Sequence, residues 1–217
     1  MVVLSQTLIS YEPGILKYYG FSIARLRFLA IHVIQNFAFR RAQGVIFLSH
    51  YAGDLIQKSC GLFKNIEYVP HGVNEIFKKK QSIIDWPKQK ERAIRCVYVS
   101  DTSMYKNQWN VVKAISILRE RGFNLTLCLV GGGKGPAQTL LDNTILDLQE
   151  NEVFVEQINF ISHEFLPDLL IEKDLFIFAS SCENLPITLI EGMATVSYTH
   201  LRAHETPEHL VCRLLLE

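Results

Sequence analysis

The 217-residue sequence has no excess of charge of either sign and contains few glycines and prolines. Because 22 Lys and Arg balance 22 Asp and Glu, it lacks the basic field that holds a nucleic acid backbone. With only 12 Gly, 7 Pro and 20% charged residues, it is not collagenous, low-complexity or disordered. We therefore expect a folded protein with no nucleic acid partner, long enough for one large domain or two small ones.

The sequence also lacks paired cysteine motifs and long apolar runs. None of its cysteines lies in a C-x-x-C pair, so neither a zinc knuckle nor a thioredoxin-like motif is present. The longest largely apolar stretch near the start, 28–39, is far shorter than the roughly 20 residues that span a bilayer. No signal peptide is apparent at the N-terminus. These absences predict a cytoplasmic, soluble protein with unpaired buried thiols, attached at most to a membrane surface.

Apolar runs of strand length alternate with helical patterns from Gly44 onward. The predicted strands are 44–48, 66–69, 94–99, 125–130, 153–155, 158–161 and 175–179, and the predicted helices are 51–60, 107–121, 138–149 and 164–171. Repeated strand-helix units with short connections predict a parallel sheet covered on both faces. Ligands of such sheets bind beyond the carboxyl ends of the strands, which directs attention to the loops 100–107, 131–136 and 180–186.

The third of these loops carries two carboxylates that bracket the start of a further helix. Glu183 lies on the loop, Pro186 suits the first helical turn, and Glu191 lies one to two turns inside the helix. The helix N-terminus is a ready site for phosphate. Because carboxylates repel phosphate, we expect them to bind hydroxyl groups, such as those of a sugar. The alternative is an ordinary helix start with an incidental pair of acids.

Four segments resemble one enzyme family in their order and spacing. Residues 179–194 read Ala-Ser-Ser-Cys-Glu-Asn-Leu-Pro-Ile-Thr-Leu-Ile-Glu-Gly-Met-Ala, and Glu183 with Glu191 fits an E-x7-E motif. Residues 69–74, 97–107 and 129–133 resemble the interdomain segment, the first donor-domain strand with its loop, and a V-G-x-G turn. The family is that of the retaining glycosyltransferases with the GT-B fold, in the broad group called family 4.

The resemblance implies an α/β fold with two Rossmann-like domains, of which this chain would hold parts. It implies transfer of a sugar from a nucleotide-sugar donor to a saccharide or lipid-linked acceptor, with retention of anomeric configuration. The product would be a surface polysaccharide or a glycolipid, and neither a cofactor nor a metal is implied. Two alternatives stay open: a non-catalytic nucleotide-binding Rossmann-like module, and a GT-B nucleotide-sugar epimerase.

The resemblance also implies roles for individual residues. Glu191 would hold the ribose hydroxyls, Glu183 the transferred sugar, and Lys106 the diphosphate, where a fixed cation assists the departing phosphate. The remaining donor-binding positions would be Asn184, Leu185 and Ile187, through their backbone N–H groups, and Gly131 and Gly133 of the glycine turn. The family often has Gly-Arg where this sequence has Ser100-Asp101, and an aspartate there would oppose a diphosphate.

The predicted domain boundaries place the end of an acceptor-side domain at 1–73, a polar linker at 74–93 and a partial donor domain at 94–195. The segment 196–217 resembles translated sequencing-adaptor read-through, so we expect native sequence to end near Thr195. We also expect coding sequence to be missing before residue 1, which would leave the 217-residue chain itself inactive.

The segment 10–41 predicts two helices and leaves two interpretations open. The part from Phe21 to Phe39 is rich in Phe, Leu and Ile, with arginines within and beside it. One interpretation is an amphipathic surface that sits on a membrane. The other is a helix that packs into the core of its domain.

Overall fold

The computed structural model describes residues 1–78, 92–149 and 152–195. Within them the chain forms two compact units. The first unit holds Met1–Gly72 and Ser181–Pro186, and the second holds Val73–Ser180 together with the helix Ile187–Thr195. Most of the predicted linker and the whole of the predicted read-through segment 196–217 lie outside the described residues, so these two predictions stay predictions.

The first unit contains a three-stranded parallel sheet in the order β1-β2-β3. Its strands are β1 (Val2–Leu4), β2 (Gly44–Phe47) and β3 (Ile66–Tyr68), and its helices are α1 (Ile23–Arg40) and α2 (His50–Cys60), with a 3-10 turn at Ile15–Tyr19. The hydroxyl oxygens of Ser22 and Ser49 accept hydrogen bonds from the third N–H of each helix and fix where the helices begin. Of the two helices predicted within 10–41, the structure has one as the α-helix α1 and only a short 3-10 turn in place of the other, and β1 was not predicted.

The second unit contains a four-stranded parallel sheet in the order β6-β5-β4-β7. Its strands are β4 (Ile94–Val99), β5 (Leu125–Val130), β6 (Val155–Ile158) and β7 (Leu175–Phe176), and its helices are α3 (Gln108–Glu120), α4 (Pro136–Leu148), α5 (Leu166–Ile171) and α6 (Ile187–Thr195). Every strand pair is parallel, as the alternation of strands and helices predicts. The predicted α/β class is confirmed.

Two strands differ from their predicted extents. Instead of strand pieces at 153–155 and 158–161, the structure has the single strand β6, and the Gln149 side-chain oxygen accepts the N–H groups of Phe154 and Val155 at its start. The predicted strand 175–179 is cut to two residues. The Ala179 carbonyl instead accepts a hydrogen bond from the Asn107 side chain at 3.0 Å, which draws the chain out of the ladder.

Apolar side chains on one face of the second sheet form a core with side chains of α3 and α4. The members include Cys96, Tyr98, Val112, Ile115, Leu127, Leu129, Leu141 and Val155. On α6, a Cβ at Gly192 would lie 2.6 Å from the Phe176 ring, so the absence of a side chain lets this helix approach β7 closely. This contact with Phe176 fixes α6 and the residues it carries against the opposite face of the sheet.

The cysteines of the described residues are unpaired, as the sequence predicts. Cys60, Cys96, Cys128 and Cys182 are unpaired, and all but Cys60 are buried. Burial, with the nearby Asp174 charge, raises the pKa of the Cys96 thiol to about 12, so this thiol stays protonated at neutral pH.

Across the described ranges, no helix has both the length and the apolar character needed to cross a membrane. The cytoplasmic location stays a prediction.

Asp174 joins two strands at the amino edge of the second sheet, opposite the candidate site. Both carboxylate oxygens accept from the Arg92 guanidinium, at 2.6 and 2.7 Å, and the Arg95 N–H donates at 2.8 Å. Burial by itself raises the pKa of this carboxyl, but hydrogen bonds from Arg92 and Arg95 outweigh it and hold the pKa well below its usual range. Asp174 is therefore ionised in the folded state down to strongly acidic pH.

We expect Asp174→Asn to lower the free energy of unfolding by about 2–3 kcal/mol at neutral pH, because it removes a buried charge-assisted pair. The lowered pKa stabilises the fold fully above the ordinary aspartate pKa of about 3.9, and this stabilisation is lost as pH falls toward the folded-state value. The deficit of the variant should therefore shrink in acid. Urea denaturation at neutral and acidic pH measures it, with the exposed Asp147→Asn as control. A deficit that stays constant with pH would contradict the assignment.

Candidate functional site

Four loops of the second unit lie along the carboxyl edge of its sheet. They follow β4 (100–107), β5 (131–135), β6 (159–165) and β7 (177–180). Because all four strands are parallel, these loops leave the sheet at the same edge, where ligands of such sheets bind. The loops carry three of the predicted site residues, namely Lys106, Gly131 and Gly133, and α6 carries Glu191 and Ile187.

Lys106 ends a 3-10 turn, Met104–Lys106, after β4 and is only 8% exposed. Its backbone carbonyl accepts a hydrogen bond from the Tyr98 hydroxyl at 2.7 Å, which ties the turn to the centre of the sheet. Its ammonium nitrogen lies 5.2 Å from the centroid of the Tyr105 ring, a cation–π distance. The site therefore holds a cation in a fixed, largely dehydrated position.

Two side chains brace the loop that carries Lys106. The Asn107 side-chain amide donates to the Ala179 carbonyl at 3.0 Å and joins the loops after β4 and β7. The buried Gln108 amide donates to the Ser100 hydroxyl at 2.8 Å and to the Asp101 carbonyl at 2.7 Å. Asn107 is the N-cap of α3 and Gln108 is its first residue. The start of this helix therefore fixes the position of Lys106.

The glycine turn after β5 lies directly against the loop after β4. Gly131 has φ +112°, and a Cβ there would lie 2.1 Å from the Ser100 carbonyl oxygen. Its N–H donates to the Ile158 carbonyl at 2.8 Å, and the Gly133 N–H donates to the Gln138 side chain at 3.0 Å. The two predicted glycines therefore allow two loops to approach, and their N–H groups are engaged within the protein.

A polar hollow of about 590 Å³ lies beside the glycine turn. Its lining is Gly132, Gly133, Lys134, Gln138, Asp142, Gln157 and Asn159. The Gln138 amide donates to Gln157 at 3.0 Å and to Asp142 at 2.7 Å, and the Gln157 amide donates to the Gly131 carbonyl at 2.9 Å. This network fixes the shape of the turn and offers amide and carboxylate groups to a polar ligand.

Glu191 lies on α6 and is only 3% exposed. Its carboxylate is 2.7 Å from the Nε2 atom of His163, in the loop after β6, and the His163 ring lies 5.1 Å from the buried Phe77 ring. His163 itself is exposed, so it lies between the buried Glu191 carboxylate and the solvent. His163 was not among the residues predicted from the sequence, although a histidine just beyond a strand at the carboxyl edge is a usable signal.

Three of the predicted site residues belong to the first unit. Asn184 and Leu185 are buried, and the Asn184 side-chain amide donates to the Ser5 carbonyl at 2.9 Å. Glu183 is half-buried on the same segment. Ile187, by contrast, is the exposed first residue of α6 in the second unit. The predicted roles of these four residues toward a donor stay predictions.

Asp101 stands where the family often has arginine. It is exposed, and its carboxylate accepts a hydrogen bond from the Ser103 hydroxyl at 2.6 Å. The carboxylate is thus engaged with its own loop. The charge of Lys106, on that loop, is the one that suits an anionic ligand. No group of three or more His, Cys, Asp and Glu side chains in the described part of the chain could hold a metal ion.

The sequence profile of the family described as "Glycosyl transferases group 1" matches residues 79–198, which is more than half of the chain. This match covers most of the second unit, including the loops at the carboxyl edge of its sheet. A search of curated protein sequences finds no significant match.

Solved structures with the same fold include a sucrose-phosphate synthase from Thermosynechococcus elongatus, with a TM-score of 0.70 and 17% identity over 91% of this chain and 49% of that one. Another is the Anabaena protein HepE in complex with UDP-glucose, with a TM-score of 0.65 and 20% identity over 89% and 50%. A third is S. aureus TarM in a complex that includes UDP, with a TM-score of 0.57 and 14% identity over 91% and 37%.

These structures are GT-B glycosyltransferases, and at identities of 20% or less the likeness concerns the fold alone. The predicted GT-B fold class is thereby confirmed. The chain spans about half the length of the first two proteins and little more than a third of the third.

Proposed function

The chain belongs to the glycosyl transferases group 1 family, and from this membership we propose that its second unit binds the nucleotide-sugar donor of a sugar-transfer reaction. In this reaction the sugar leaves a nucleoside diphosphate and joins a saccharide or lipid-linked acceptor with its anomeric configuration retained. The product is a surface polysaccharide or a glycolipid. The reaction uses no cofactor and no metal ion, and Lys106 supplies the positive charge at the diphosphate.

The observation that carries this proposal is the largely buried cation of Lys106 at the carboxyl edge of the parallel sheet. A cation with few water contacts interacts strongly with a phosphate, because little solvent screens the pair. The charge on the leaving diphosphate grows as its bond to the sugar breaks. A fixed cation that costs no reorganisation stabilises this developing charge.

Glu191 supplies the second contact with the donor. Its carboxylate has two oxygens, and one of them lies 2.7 Å from His163 Nε2. A carboxylate accepts hydrogen bonds from neighbouring hydroxyl groups, so the cis hydroxyls of a ribose suit it better than a phosphate does. The exposed His163 ring then orients this carboxylate from the solvent side. Glu183, on the segment before α6, receives the transferred sugar in this proposal.

Replacing Glu191 by Gln or Ala is expected to weaken binding of both UDP and uridine by about tenfold, because both ligands contain the ribose that the carboxylate holds. Isothermal titration of the 217-residue chain measures this, with Glu120→Gln at the exposed end of α3 as the control. Since Glu191 is buried, thermal unfolding of each variant shows whether the fold is retained.

The titration tests both the assignment of Glu191 to the site and nucleotide binding by the second unit. If Glu191→Gln is folded and binds UDP as tightly as the unchanged chain, the site assignment is wrong. If the unchanged chain binds neither UDP, GDP nor ADP at millimolar concentration, nucleotide binding by the second unit is refuted.

A further inference from the structure

A histidine and a buried carboxylate form a short contact at the candidate site. The Nε2 atom of His163 lies 2.7 Å from an oxygen of Glu191, which is only 3% exposed. Because an ionised carboxylate only accepts hydrogen bonds, this distance requires a proton on Nε2, in the neutral ring as in the charged ring. His163 therefore donates to Glu191 in both states, and what changes with pH is the charge of the donor.

Packing holds both partners of this contact in place. The centroid of the His163 ring lies 5.1 Å from that of Phe77, a fully buried residue that ends the 3-10 turn Glu75–Phe77. Glu191 is held from its own helix, because α6 approaches β7 closely at Gly192. The contact is thus built before any ligand binds.

Glu191 supplies the carboxylate that a charged His163 pairs with. Glu75 is instead paired with Lys78 at 2.7 Å, and the Glu164 carboxylate accepts a hydrogen bond at 3.1 Å from a hydroxyl of its own loop. Apart from Glu191, the charged side chains on the described elements around the ring are Glu75, Lys78, Glu164 and Asp168.

Two kinds of donor then share one acceptor. In the proposed function, on which this inference rests, the ribose hydroxyls also donate to the Glu191 carboxylate. A hydrogen bond to an ionised acceptor is about twice as strong as one between neutral groups. An imidazolium 2.7 Å away offsets much of the carboxylate charge, so the hydroxyl bonds become weaker. The coupling is reciprocal, because a bound ribose in turn disfavours the charged form of the ring.

We propose that the protonation state of His163 regulates the ribose site, which binds more tightly while the ring is neutral and more weakly once the ring is charged. His163 is a positioning residue here, since it acts on the ribose through Glu191. Histidine is the side chain whose charge ordinarily changes between about pH 5 and pH 8. Ribose binding therefore falls as the pH drops through this range.

The test is isothermal titration of the 217-residue chain with uridine at about pH 5.5 and at about pH 8. Uridine contains the ribose but no phosphate, whereas a terminal phosphate such as that of UDP itself takes up a proton in this range. We expect uridine to bind about fivefold more weakly at the lower pH. Equal binding at both pH values would overturn the proposal, as would tighter binding in acid.

Two variants of His163 separate its charge from its hydrogen bond. His163→Gln keeps an N–H donor that does not titrate. It should bind uridine at the higher pH about as the unchanged chain does, and it should show no weakening in acid. His163→Phe keeps a ring beside Phe77 but has no donor, so it should bind uridine about threefold more weakly at both pH values.

His71→Gln is the matched control, because His71 belongs to the first unit and its replacement should leave the pH dependence intact. Thermal unfolding at both pH values shows whether each variant is folded. If folded His163→Gln keeps the pH dependence, another group is responsible and the proposal fails.

The same titrations distinguish this failure from failure of the proposed function. Uridine binding that Glu191→Gln weakens but that does not change with pH would overturn the role of His163 alone. If the unchanged chain binds no uridine at either pH, the assignment of the ribose to Glu191 is wrong and the regulation by His163 falls with it.

Discussion

Replacing Gly131 by alanine is expected to lower the free energy of unfolding by more than about 4 kcal/mol. The new Cβ would lie 2.1 Å from the Ser100 carbonyl oxygen and 2.7 Å from the Ser100 carbonyl carbon, and both obstacles are backbone atoms that no rotamer change can move. The φ of +112° adds strain for any residue with a side chain. Urea denaturation, followed by circular dichroism, measures the loss.

The variant Gly135→Ala separates the steric clash with Ser100 from the strain of a positive φ. Gly135 also has positive φ, at +87°, but a Cβ there would have no heavy atom within 4 Å outside its own neighbours. Its substitution therefore carries the conformational cost alone, about 1–2 kcal/mol. Equal losses for the two variants would show that Ser100 and Gly131 do not approach as closely as described. A larger loss at Gly131 would establish the contact between the loops after β4 and β5.

Strands β4 and β5 of the second unit were predictable because their sequences are apolar over the length of a strand and are bounded by turn residues. The runs 94–99 and 125–130 are apolar, have strand length and are flanked by turn residues, and the structure has β4 and β5 over the same residues. β7 and β6 departed from prediction because side chains outside them bond to backbone groups of the expected strands: Asn107 to the Ala179 carbonyl and Gln149 to the Phe154 N–H. The contact of Asn107, 72 residues away, depends on the fold and leaves no local pattern.

The candidate site was predictable where topology alone brings residues together. Parallel strands place Lys106 and the glycine turn at one edge, and the structure has the two loops in contact. His163 was missed because its partner Glu191 lies 28 residues away, on a helix whose packing against β7 depends on the absence of a Cβ at Gly192.

Lys106→Ala is expected to weaken binding of UDP by about thirtyfold or more and to leave binding of uridine unchanged. A charge-assisted contact between an ammonium group and phosphate contributes about 2–3 kcal/mol when the cation is held out of water, and uridine lacks the phosphates. The difference between the two ligands therefore isolates the contact with the diphosphate. Isothermal titration of both ligands against the 217-residue chain measures it.

Lys113→Ala is the control, since Lys113 is exposed on α3 and changes the net charge by the same amount. If Lys113→Ala weakens UDP binding as much as Lys106→Ala does, the effect is one of overall charge and the assignment fails. If Lys106→Ala weakens UDP and uridine equally, the lysine supports the shape of the loop through Tyr98 and Tyr105 and does not face the diphosphate. Since Glu191→Gln should weaken both ligands alike, the two variants assign the ribose to Glu191 and the neighbouring diphosphate to Lys106, and thereby fix the direction of the donor along the carboxyl edge of the sheet.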